Sequence, residues 1–384
     1  MRISALFGPF STFPRPLEFD NILDSQRGLT GTDGSFVYYC KSLRARGHAV
    51  DIFAEGIEAT AWEGCRCFPY TTRSPTAPGS GEQYDAVVVW NDVAGLDVFP
   101  STIPRILCMQ VNDLKYASRV AIDNVDLFVA PSQALVNHLR ILHEHEMVGK
   151  RWAVLPNGCD PDAYDLSKKI PGRCIHASST DRGLHILLQQ WPRIKAAVGH
   201  ASLRIFYHTL QQFLNVLDEP TFNADIREKQ RRARIIRDAL PRLEKLDVTY
   251  EGGVSRNRMA DEYSQAELLT YPCDTIRGAY PDDPTWGSEG FGVAVLEGCA
   301  SGAVPVTTDC DAFGEVYTGA CPVIHQEDGW QEKWGNEVIA LLKDSEKRQE
   351  WIGKGRELAA RHAWPVLGEL LEKYLLEEIA RKKS

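Results

Sequence analysis

The most informative part of the sequence is the run Gly287-Ser288-Glu289-Gly290-Phe291-Gly292-Val293-Ala294-Val295-Leu296-Glu297-Gly298-Cys299-Ala300-Ser301-Gly302. Gly290 and Gly292 open an apolar helical pattern over Val293–Ala300, and glycine lets backbone N–H groups come close to a ligand. The first turn of a helix carries about half a positive charge. The run therefore predicts a turn that enters a helix and binds phosphate.

Two glutamates flank this predicted anion site. Glu289 lies just before the helix and Glu297 lies inside it, with seven residues between them. Carboxylates repel phosphate, so they suit a ligand that has hydroxyl groups on both sides of a diphosphate. A nucleotide sugar, in which two phosphates join a sugar to a ribose, has this layout. The local sequence leaves one alternative open, a helix-start carboxylate beside an ordinary exposed helix residue.

The rest of the chain repeats a pattern of short apolar strand, loop and helix. The predicted strands are Ala86–Trp90, Ile103–Met109, Leu127–Ala130, Trp152–Leu155, Leu203–Tyr207, Val248–Tyr250, Leu268–Tyr271 and Val304–Thr307. The predicted helices are Ser35–Arg46, Gln133–Leu142, Leu184–Val198, the charged and exposed Asp225–Lys245, Arg258–Gln265, Val293–Ala300 and the core-docked Trp364–Lys382. This alternation indicates an α/β fold of parallel sheets covered on both faces. Such sheets bind ligands at the carboxyl ends of their strands.

Composition limits the classes of function. The 384 residues carry 43 Lys and Arg against 52 Asp and Glu, a net charge of −9, which argues against nucleic acid as a partner. The sequence contains no apolar run of about 18 residues, so we expect no transmembrane helix. Peripheral contact with a membrane stays open. The ten cysteines are scattered, and we expect reduced thiols in a cytoplasmic protein.

Glu289 and Glu297 resemble the Glu-(seven residues)-Glu signature of glycosyltransferase family 4, a group of retaining enzymes with the GT-B fold. Other landmarks are similar in order and spacing to those of the family: Arg46–Val50, Val129–Ser132, Val154–Asp160, Asp181–Leu184, Tyr250–Ser255 and His362–Trp364. The resemblance implies two Rossmann-like, doubly wound parallel-sheet domains that face each other across a cleft. Residues 1–158, with a returning helix over 363–384, are the expected acceptor-side domain. Residues 159–362 are the expected donor domain.

The resemblance also implies roles for individual residues in donor binding. Glu289 would bind hydroxyls of the donor sugar and stabilise the charge that develops there. Arg182, in the place of the family's lysine, would neutralise the leaving diphosphate, so these two are the expected catalytic residues. The other expected donor-binding residues are Gly290, Phe291 and Gly292 for the diphosphate, Glu297 for the ribose, Ser178 and Ser179 as further donors, and Gly253 and Ser255 beside the base. A role as ordinary turn residues stays open for the two serines, and so does that of a plain surface arginine for Arg182.

On the acceptor side, the resemblance places a glycine loop before the first helix. The expected acceptor-side residues are Gly31, Asp33, Gly34, Asn91 and Asn112, with Gly28 at the start of the loop. A plain helix cap stays open for Asp33, and so does a turn-forming role for Asn91.

The sequence departs from the family pattern at two places. The stretch His176–Thr180 lacks the family's arginine, for which Arg256, Arg258 and Arg277 are candidate substitutes. The stretch Cys108–Asp113 lacks the family's histidine, in whose place Asn112 or Gln110 would stand.

Metal and cofactor motifs are weak throughout. Asp309-Cys310-Asp311 has the Asp-x-Asp form of metal-dependent glycosyltransferases with another fold. Here it follows the predicted helix and a strand, which is not the context of that metal motif. His143–Glu146 lacks the spacing of a zinc helix, and no Gly-x-Gly-x-x-Gly opens a helix. We therefore expect neither a metal nor a cofactor.

The expected function is metal-independent transfer of a hexose, with retention of configuration, from a nucleoside diphosphate sugar to a hydroxyl acceptor. A UDP-sugar is preferred over a GDP-sugar as donor. The alternatives are a non-catalytic nucleotide-sugar-binding protein and, less favoured, an NAD-dependent dehydrogenase. The class of acceptor stays open among lipid, glycan, protein and small molecule.

Overall fold

The computed structural model describes residues 1–8, 22–23, 29–54, 61–70, 83–111, 114, 119–207, 210–221, 224–274 and 289–384. The chain divides into two compact units. Unit 1 takes its residues from Met1–Ile22, Leu29–Gly158 and His362–Ser384, and unit 2 from Leu23–Gly28 and Cys159–Arg361. The chain therefore passes from unit 1 into unit 2 and returns to unit 1.

Unit 1 is built on a sheet in which the described residues form eight strands. In chain order these are β1 (Arg2–Phe7), β2 (Ala49–Ala54), β3 (Ala61–Trp62), β4 (Cys65–Pro69), β5 (Ala86–Trp90), β6 (Arg105–Cys108), β7 (Leu127–Ala130) and β8 (Trp152–Val154). Their spatial order is β3-β4-β2-β1-β5-β6-β7-β8. All neighbours pair in parallel except β3 and β4, which form an antiparallel pair. The central strands are buried along their whole length, as expected for a sheet covered on both faces.

The helices of unit 1 begin with α1 (Gly31–Ala45), α2 (Arg119–Asp123), α3 (Gln133–Leu142) and α4 (Glu144–Met147). Helix α1 starts four residues before the predicted Ser35, because Thr30 caps it. The Thr30 side chain accepts from the backbone N–H of Asp33, and the Asp33 side chain accepts from that of Thr30. Such a reciprocal cap satisfies two amides that have no partner within the helix.

Unit 2 is built on a sheet in which the described residues form six strands, all paired in parallel. They are β9 (Arg173–Ala177), β10 (Ser202–Phe206), β11 (Val248–Gly252), β12 (Leu268–Thr270), β13 (Val304–Thr308) and β14 (Val323–Ile324). Their spatial order is β11-β10-β9-β12-β13-β14. The order reverses between β9 and β12, and in such sheets ligands bind at the carboxyl ends of the strands that flank this point.

The helices of unit 2 alternate with its strands. They are α5 (Leu184–Ala197), α6 (Leu210–Leu214), α7 (Ala224–Leu243), α8 (Arg256–Gln265), α9 (Val293–Ser301), α10 (Ala312–Tyr317), α11 (Trp330–Lys343) and α12 (Ser345–Arg361). The prediction that the charged stretch is simply an exposed helix was wrong for one face of α7. Arg232, Ala233 and Ile236 are buried there, because an apolar stripe runs between the charged residues.

The chain ends in α13 (Trp364–Lys383), which returns to unit 1 and packs against α1. Its first residue, Trp364, stacks on Tyr38 with ring centroids 5.1 Å apart. Ser42 Oγ donates to the Trp364 carbonyl at 3.2 Å, and Gly368 packs against the Ser42 side chain. The predicted docking of this helix by its leucines agrees with the burial of Leu367, Leu371 and Leu375.

The ten cysteines are free thiols, and all of them are buried. Within the described part of the chain, no helix combines the length and the apolar character that crossing a membrane requires.

Candidate functional site

The candidate site lies in unit 2, where β9 and β12 end side by side. Each strand is followed by a hydroxyl side chain, Ser178 after β9 and Tyr271 after β12. Ser178 Oγ lies 2.5 Å from the Tyr271 hydroxyl, which donates to Glu289 Oε1 at 3.0 Å. Because the tyrosine gives its one proton to the carboxylate, Ser178 is the donor to Tyr271. The chain of hydrogen bonds therefore runs from Ser178 through Tyr271 to Glu289.

Arg182 lies on the other side of the same carboxylate. Its Nε is 3.3 Å from Glu289 Oε1 and 3.7 Å from Asp181 Oδ2. The pair is well enclosed, with 22% of the Arg182 side chain and 13% of the Glu289 side chain exposed. Burial raises the pKa of the Glu289 carboxyl above its usual range, while the Arg182 guanidinium and the Tyr271 hydroxyl act to lower it. Glu289 is thus a partly desolvated carboxylate that has a cation beside it.

The turn that carries Arg182 comes unusually close to the segment after β12. Gly183 precedes α5 with φ of +79°, and a methyl group on it would overlap the carbonyl oxygen of Pro272. Only glycine combines this conformation with this approach. The contact brings Arg182 next to Tyr271, and the geometry requires a glycine at position 183.

The turn before α9 is shaped by a second glycine. Gly292 has φ of +79°, the Phe313 ring occupies the space that a β-carbon would need, and Tyr317 donates to the Gly292 carbonyl at 2.9 Å. Among the residues that the structure describes, no side-chain hydrogen bond caps the helix that follows. The predicted anion-binding turn is therefore the uncapped start of a nine-residue helix, an arrangement that favours phosphate.

Asp311 fixes the backbone of Glu289. The Glu289 N–H donates to Asp311 Oδ2 at 3.0 Å, and the Ala312 N–H donates to the Glu289 carbonyl at 3.2 Å. Asp311 itself has φ of +45° and ψ of −110°, a strained conformation for a residue with a side chain. The strained residue is therefore the one whose carboxylate holds the Glu289 backbone N–H.

The two carboxylates of the Asp309-Cys310-Asp311 motif serve the backbone. Asp309 Oδ1 accepts from the Gln326 N–H at 3.0 Å, and Asp311 accepts from Glu289. Across the residues for which the structure gives positions, no group of three or more His, Cys, Asp or Glu side chains is arranged to hold a metal.

Glu297, one turn into α9, already has a cationic partner. It forms a buried ion pair with Arg256, whose Nη2 lies 3.5 Å from the Tyr164 hydroxyl. Arg256 was one candidate for the missing family arginine, and it lies beside the carboxylate predicted to bind ribose. Arg258 pairs with Glu262 at 3.3 Å, and Arg277 lies outside the described residues. The ribose role of Glu297 stays a prediction.

The remaining donor-side residues are held by local hydrogen bonds. The Ser179 carbonyl accepts from the Arg182 N–H at 2.9 Å. Ser255 Oγ accepts from the Arg258 N–H at 3.3 Å and so caps α8. Gly253 lies two residues before that cap and is half-buried. Phe291 is buried against Tyr317, with ring centroids 6.1 Å apart.

The predicted acceptor-side residues lie in unit 1. Gly31, Asp33 and Gly34 form the first turn of α1, whereas the sequence placed them before it. Asn91 has φ of +57°, and its Oδ1 accepts from the Gln110 N–H at 2.6 Å. Gly28 and Asn112 lie outside the described residues.

An amide chain continues from Asn91 along the carboxyl ends of the strands. Gln110 Oε1 accepts from Asn157 Nδ2 at 2.9 Å. Asn91 and Asn157 are therefore both bonded to Gln110, the first through its backbone and the second through its side chain, at the end of the sheet where an acceptor site was expected.

Tyr271 and Asp311 are the contacts of Glu289 that sequence reasoning missed. Tyr271 was counted as the last apolar residue of a strand, although a polar group at the carboxyl end of a parallel strand is a usable signal. Asp311 was weighed only as part of a metal motif. Nothing in the local sequence shows that its carboxylate bonds a residue 22 positions earlier.

One family model matches the part of the chain that holds the candidate site. Residues 175–358 match the family described as glycosyl transferases group 1. A comparison with curated proteins gave no match.

Solved structures of similar fold cover nearly the whole chain. AviGT4, a glycosyltransferase involved in avilamycin A biosynthesis, is 15% identical, with a TM-score of 0.62 over 99% of this chain and 98% of its own. Sucrose-phosphate synthase from Thermosynechococcus elongatus is 12% identical, with a TM-score of 0.65 over 99% of both chains. HepE from Anabaena, solved in complex with UDP-glucose, is 13% identical, with a TM-score of 0.60 over 98% of this chain and 100% of its own. Residues 175–358 of the chain are therefore similar to the group 1 glycosyl transferases, and its two α/β units have the GT-B fold.

Proposed function

We propose that this protein transfers a hexose from a nucleoside diphosphate sugar to a hydroxyl acceptor, with retention of configuration and without a metal. The observation that carries the proposal is the cluster of Arg182, Glu289 and Tyr271 at the carboxyl ends of β9 and β12. It places one cation and one carboxylate beside the uncapped start of α9. Such a pair suits a ligand in which a diphosphate adjoins a sugar.

The residues divide the work as follows. The first amides of α9 and the Arg182 guanidinium hold the diphosphate and stabilise the negative charge that grows on it as the glycosidic bond breaks. Glu289 accepts hydrogen bonds from the sugar hydroxyls and stabilises positive charge at the sugar. Tyr271 and Asp311 hold that carboxylate in place. The leaving phosphate itself takes the proton of the acceptor hydroxyl, so no further general base is needed.

A UDP-hexose is the first donor to test. HepE, a structural neighbour, was solved with UDP-glucose, and uridine is also the base preferred above, because it is the most frequent one in nucleotide sugars. Donor hydrolysis, in which water replaces the acceptor, gives a readout that does not need it.

The experiment compares the unmodified protein with Glu289→Gln by calorimetry and by UDP-glucose hydrolysis, both in the presence of EDTA. We expect UDP to bind both proteins with affinities within a few-fold, and Glu289→Gln to lower the hydrolysis rate by about 100-fold or more, the size of loss seen for groups that stabilise a transition state. Glu332→Gln is the matched control, because Glu332 is exposed in the first turn of α11.

Two results would argue against the proposal. Binding of UDP-glucose without any turnover by the unmodified protein would favour the non-catalytic nucleotide-sugar-binding alternative. Absence of binding across a panel of nucleoside diphosphates and their sugars, together with a response to NAD, would favour the dehydrogenase.

A further inference from the structure

We infer that Arg232, on α7, is a positioning residue that holds the Asp181–Gly183 turn and thereby keeps the Arg182 guanidinium where a diphosphate binds. The inference rests on the proposed function. It assigns a role to a residue that lies outside every motif of the sequence.

Arg232 is a buried guanidinium with all three nitrogens engaged. Only 3% of its side chain is exposed. Nη1 donates to the Asp181 carbonyl at 3.2 Å, and Nη1 and Nη2 donate to the two carboxylate oxygens of Asp274 at 2.9 and 2.7 Å. Nε donates to Glu228 Oε1 at 2.9 Å. A two-pronged pair with a carboxylate fixes the plane and direction of the guanidinium.

Arg232 contacts both backbone segments that build the candidate site. Asp181 directly precedes Arg182, and Asp274 lies three residues after Tyr271. These are the two segments that meet where Gly183 packs against Pro272. One side chain on α7 therefore ties them to each other at a second point.

The charges around Arg232 balance near neutral pH. Glu228 and Asp274 carry the negative charges, and Arg231 shares Glu228 with Arg232. His185 Nε2 lies 3.8 Å from Asp274 Oδ2, and burial together with Arg232 lowers the pKa of His185 to about 3. His185 is therefore neutral and adds no charge to the cluster.

Docking of α7 alone does not explain this residue. The apolar stripe with Ala233 and Ile236 already packs α7 on the unit, and burying an ion pair costs desolvation that an apolar side chain avoids. What only a guanidinium supplies is the simultaneous bond to the Asp181 carbonyl and to both oxygens of Asp274. Lysine keeps the charge but offers no such fork.

The test measures binding of inorganic pyrophosphate by calorimetry, because every nucleoside diphosphate sugar contains this group whatever its base. We expect Arg232→Lys and Arg232→Gln to bind pyrophosphate about tenfold more weakly and to hydrolyse UDP-glucose at least tenfold more slowly. Arg231→Gln is the matched control on the same helix, since Arg231 also pairs with Glu228 but is 52% exposed. It should stay within twofold on both measurements.

Two further readouts separate positioning from folding, and a second variant covers the case of a protein that does not fold. Guanidinium chloride at low millimolar concentration should restore pyrophosphate binding to Arg232→Ala, and it should not change Arg231→Ala. Amide hydrogen exchange should speed up over residues 178–187 in Arg232→Lys and not in the control. If an Arg232 variant does not fold, the same measurements are made on Asp274→Asn. This variant removes the negative charge that pairs with Arg232.

The outcomes are distinct. A folded Arg232→Lys protein that melts at a lower temperature but binds pyrophosphate like the unmodified protein would overturn the inference and leave the proposed function standing. Failure of the unmodified protein to bind either pyrophosphate or UDP would overturn the proposed function, and the inference with it.

Discussion

Glu289 owes its properties to three neighbours that lie far from it in sequence or on other elements. Tyr271 donates to its carboxylate, Arg182 provides a cation at 3.3 Å, and Asp311 holds its backbone N–H. Burial and these partners act in opposite directions on its ionisation. The charge state of one side chain is therefore set by how well its neighbours are placed.

At this scale we predict that Tyr271→Phe shifts the pH profile of donor hydrolysis. The Tyr271 hydroxyl stabilises the Glu289 carboxylate, so its loss raises the Glu289 pKa further above the usual range. Because the carboxylate is the working form, activity is lost as pH falls through that pKa, and the acidic limb moves to higher pH. The measurement is the rate of UDP-glucose hydrolysis against pH.

Tyr374→Phe is the control for this change, because Tyr374 donates to the Val154 carbonyl in unit 1. Its acidic limb should match that of the unmodified protein. If Tyr271→Phe left the limb in place as well, Glu289 would not be the group that titrates.

Sequence reasoning predicted Glu289 and Arg182 as site residues but not the residues that position them. Glu289 was predicted from a local pattern of glycines and carboxylates, and Arg182 from a local resemblance to a family loop. Tyr271, Asp311 and Arg232 act through contacts between segments, and a single sequence carries no periodicity that reveals such contacts. The clearest case is Arg232, whose burial depends on α7 packing beside Asp181 and Asp274.

Helices α5 and α9 both begin after a glycine in the left-handed region, and each glycine also faces a group that leaves no room for a side chain. Gly329, before α11, has nearly the same backbone with φ of +76° but no atom near its missing β-carbon. Comparing these positions separates the effect of backbone strain from that of close approach.

We predict that Gly329→Ala lowers the free energy of unfolding by about 1–2 kcal/mol, the cost of a left-handed residue with a β-carbon. Gly183→Ala should cost more, about 3 kcal/mol or above, because its methyl group also overlaps the Pro272 carbonyl. It should also weaken pyrophosphate binding. Urea unfolding followed by circular dichroism measures the free energy of unfolding of each variant. Equal losses of stability in the two variants would contradict the role of close approach.

Elements marked by unbroken apolar runs or by a clear cap were predictable to their ends, whereas α11 and α12 were not among the predicted helices. Three elements have the predicted bounds: the strands Ala86–Trp90 and Leu127–Ala130 and the helix Gln133–Leu142. Unbroken apolar runs mark the two strands, and a capping serine marks the start of the helix. Helix α1 begins earlier than predicted because the Thr30 cap outweighs the helix-weakening glycines at 31 and 34. The charges of α7 correctly predicted its exposed face, but they gave no sign that one of them, Arg232, is buried.

On the scale of the molecule, unit 1 is completed by a helix that follows unit 2 in the sequence. Helix α13 contributes Glu378, which is 1% exposed and pairs with Arg151 and, at 2.9 Å, with Arg381. The neighbouring Glu377 is 53% exposed and lies 3.9 Å from Lys373. The two glutamates thus differ in burial but not in chemistry.

We predict that Glu378→Gln destabilises unit 1 by about 2–3 kcal/mol, because it weakens a buried charge-assisted contact. Glu377→Gln should change stability little, as exposed ion pairs do. The measurement is hydrogen exchange of β8 and α13 amides in unit 1 and of β9 amides in unit 2. Faster exchange confined to unit 1 supports the prediction, and equal exchange in both variants counts against it.

The order of segments in unit 1 has a consequence for synthesis. A ribosome makes about 5–20 residues each second, so about 10–40 seconds pass between the emergence of Gly158 and that of His362. During this interval α13 is absent, although the rest of unit 1 has left the ribosome. The surface of α1 that packs against Trp364 therefore lacks its native partner. A nascent chain in this state presents apolar surface to chaperones until translation reaches its last helix.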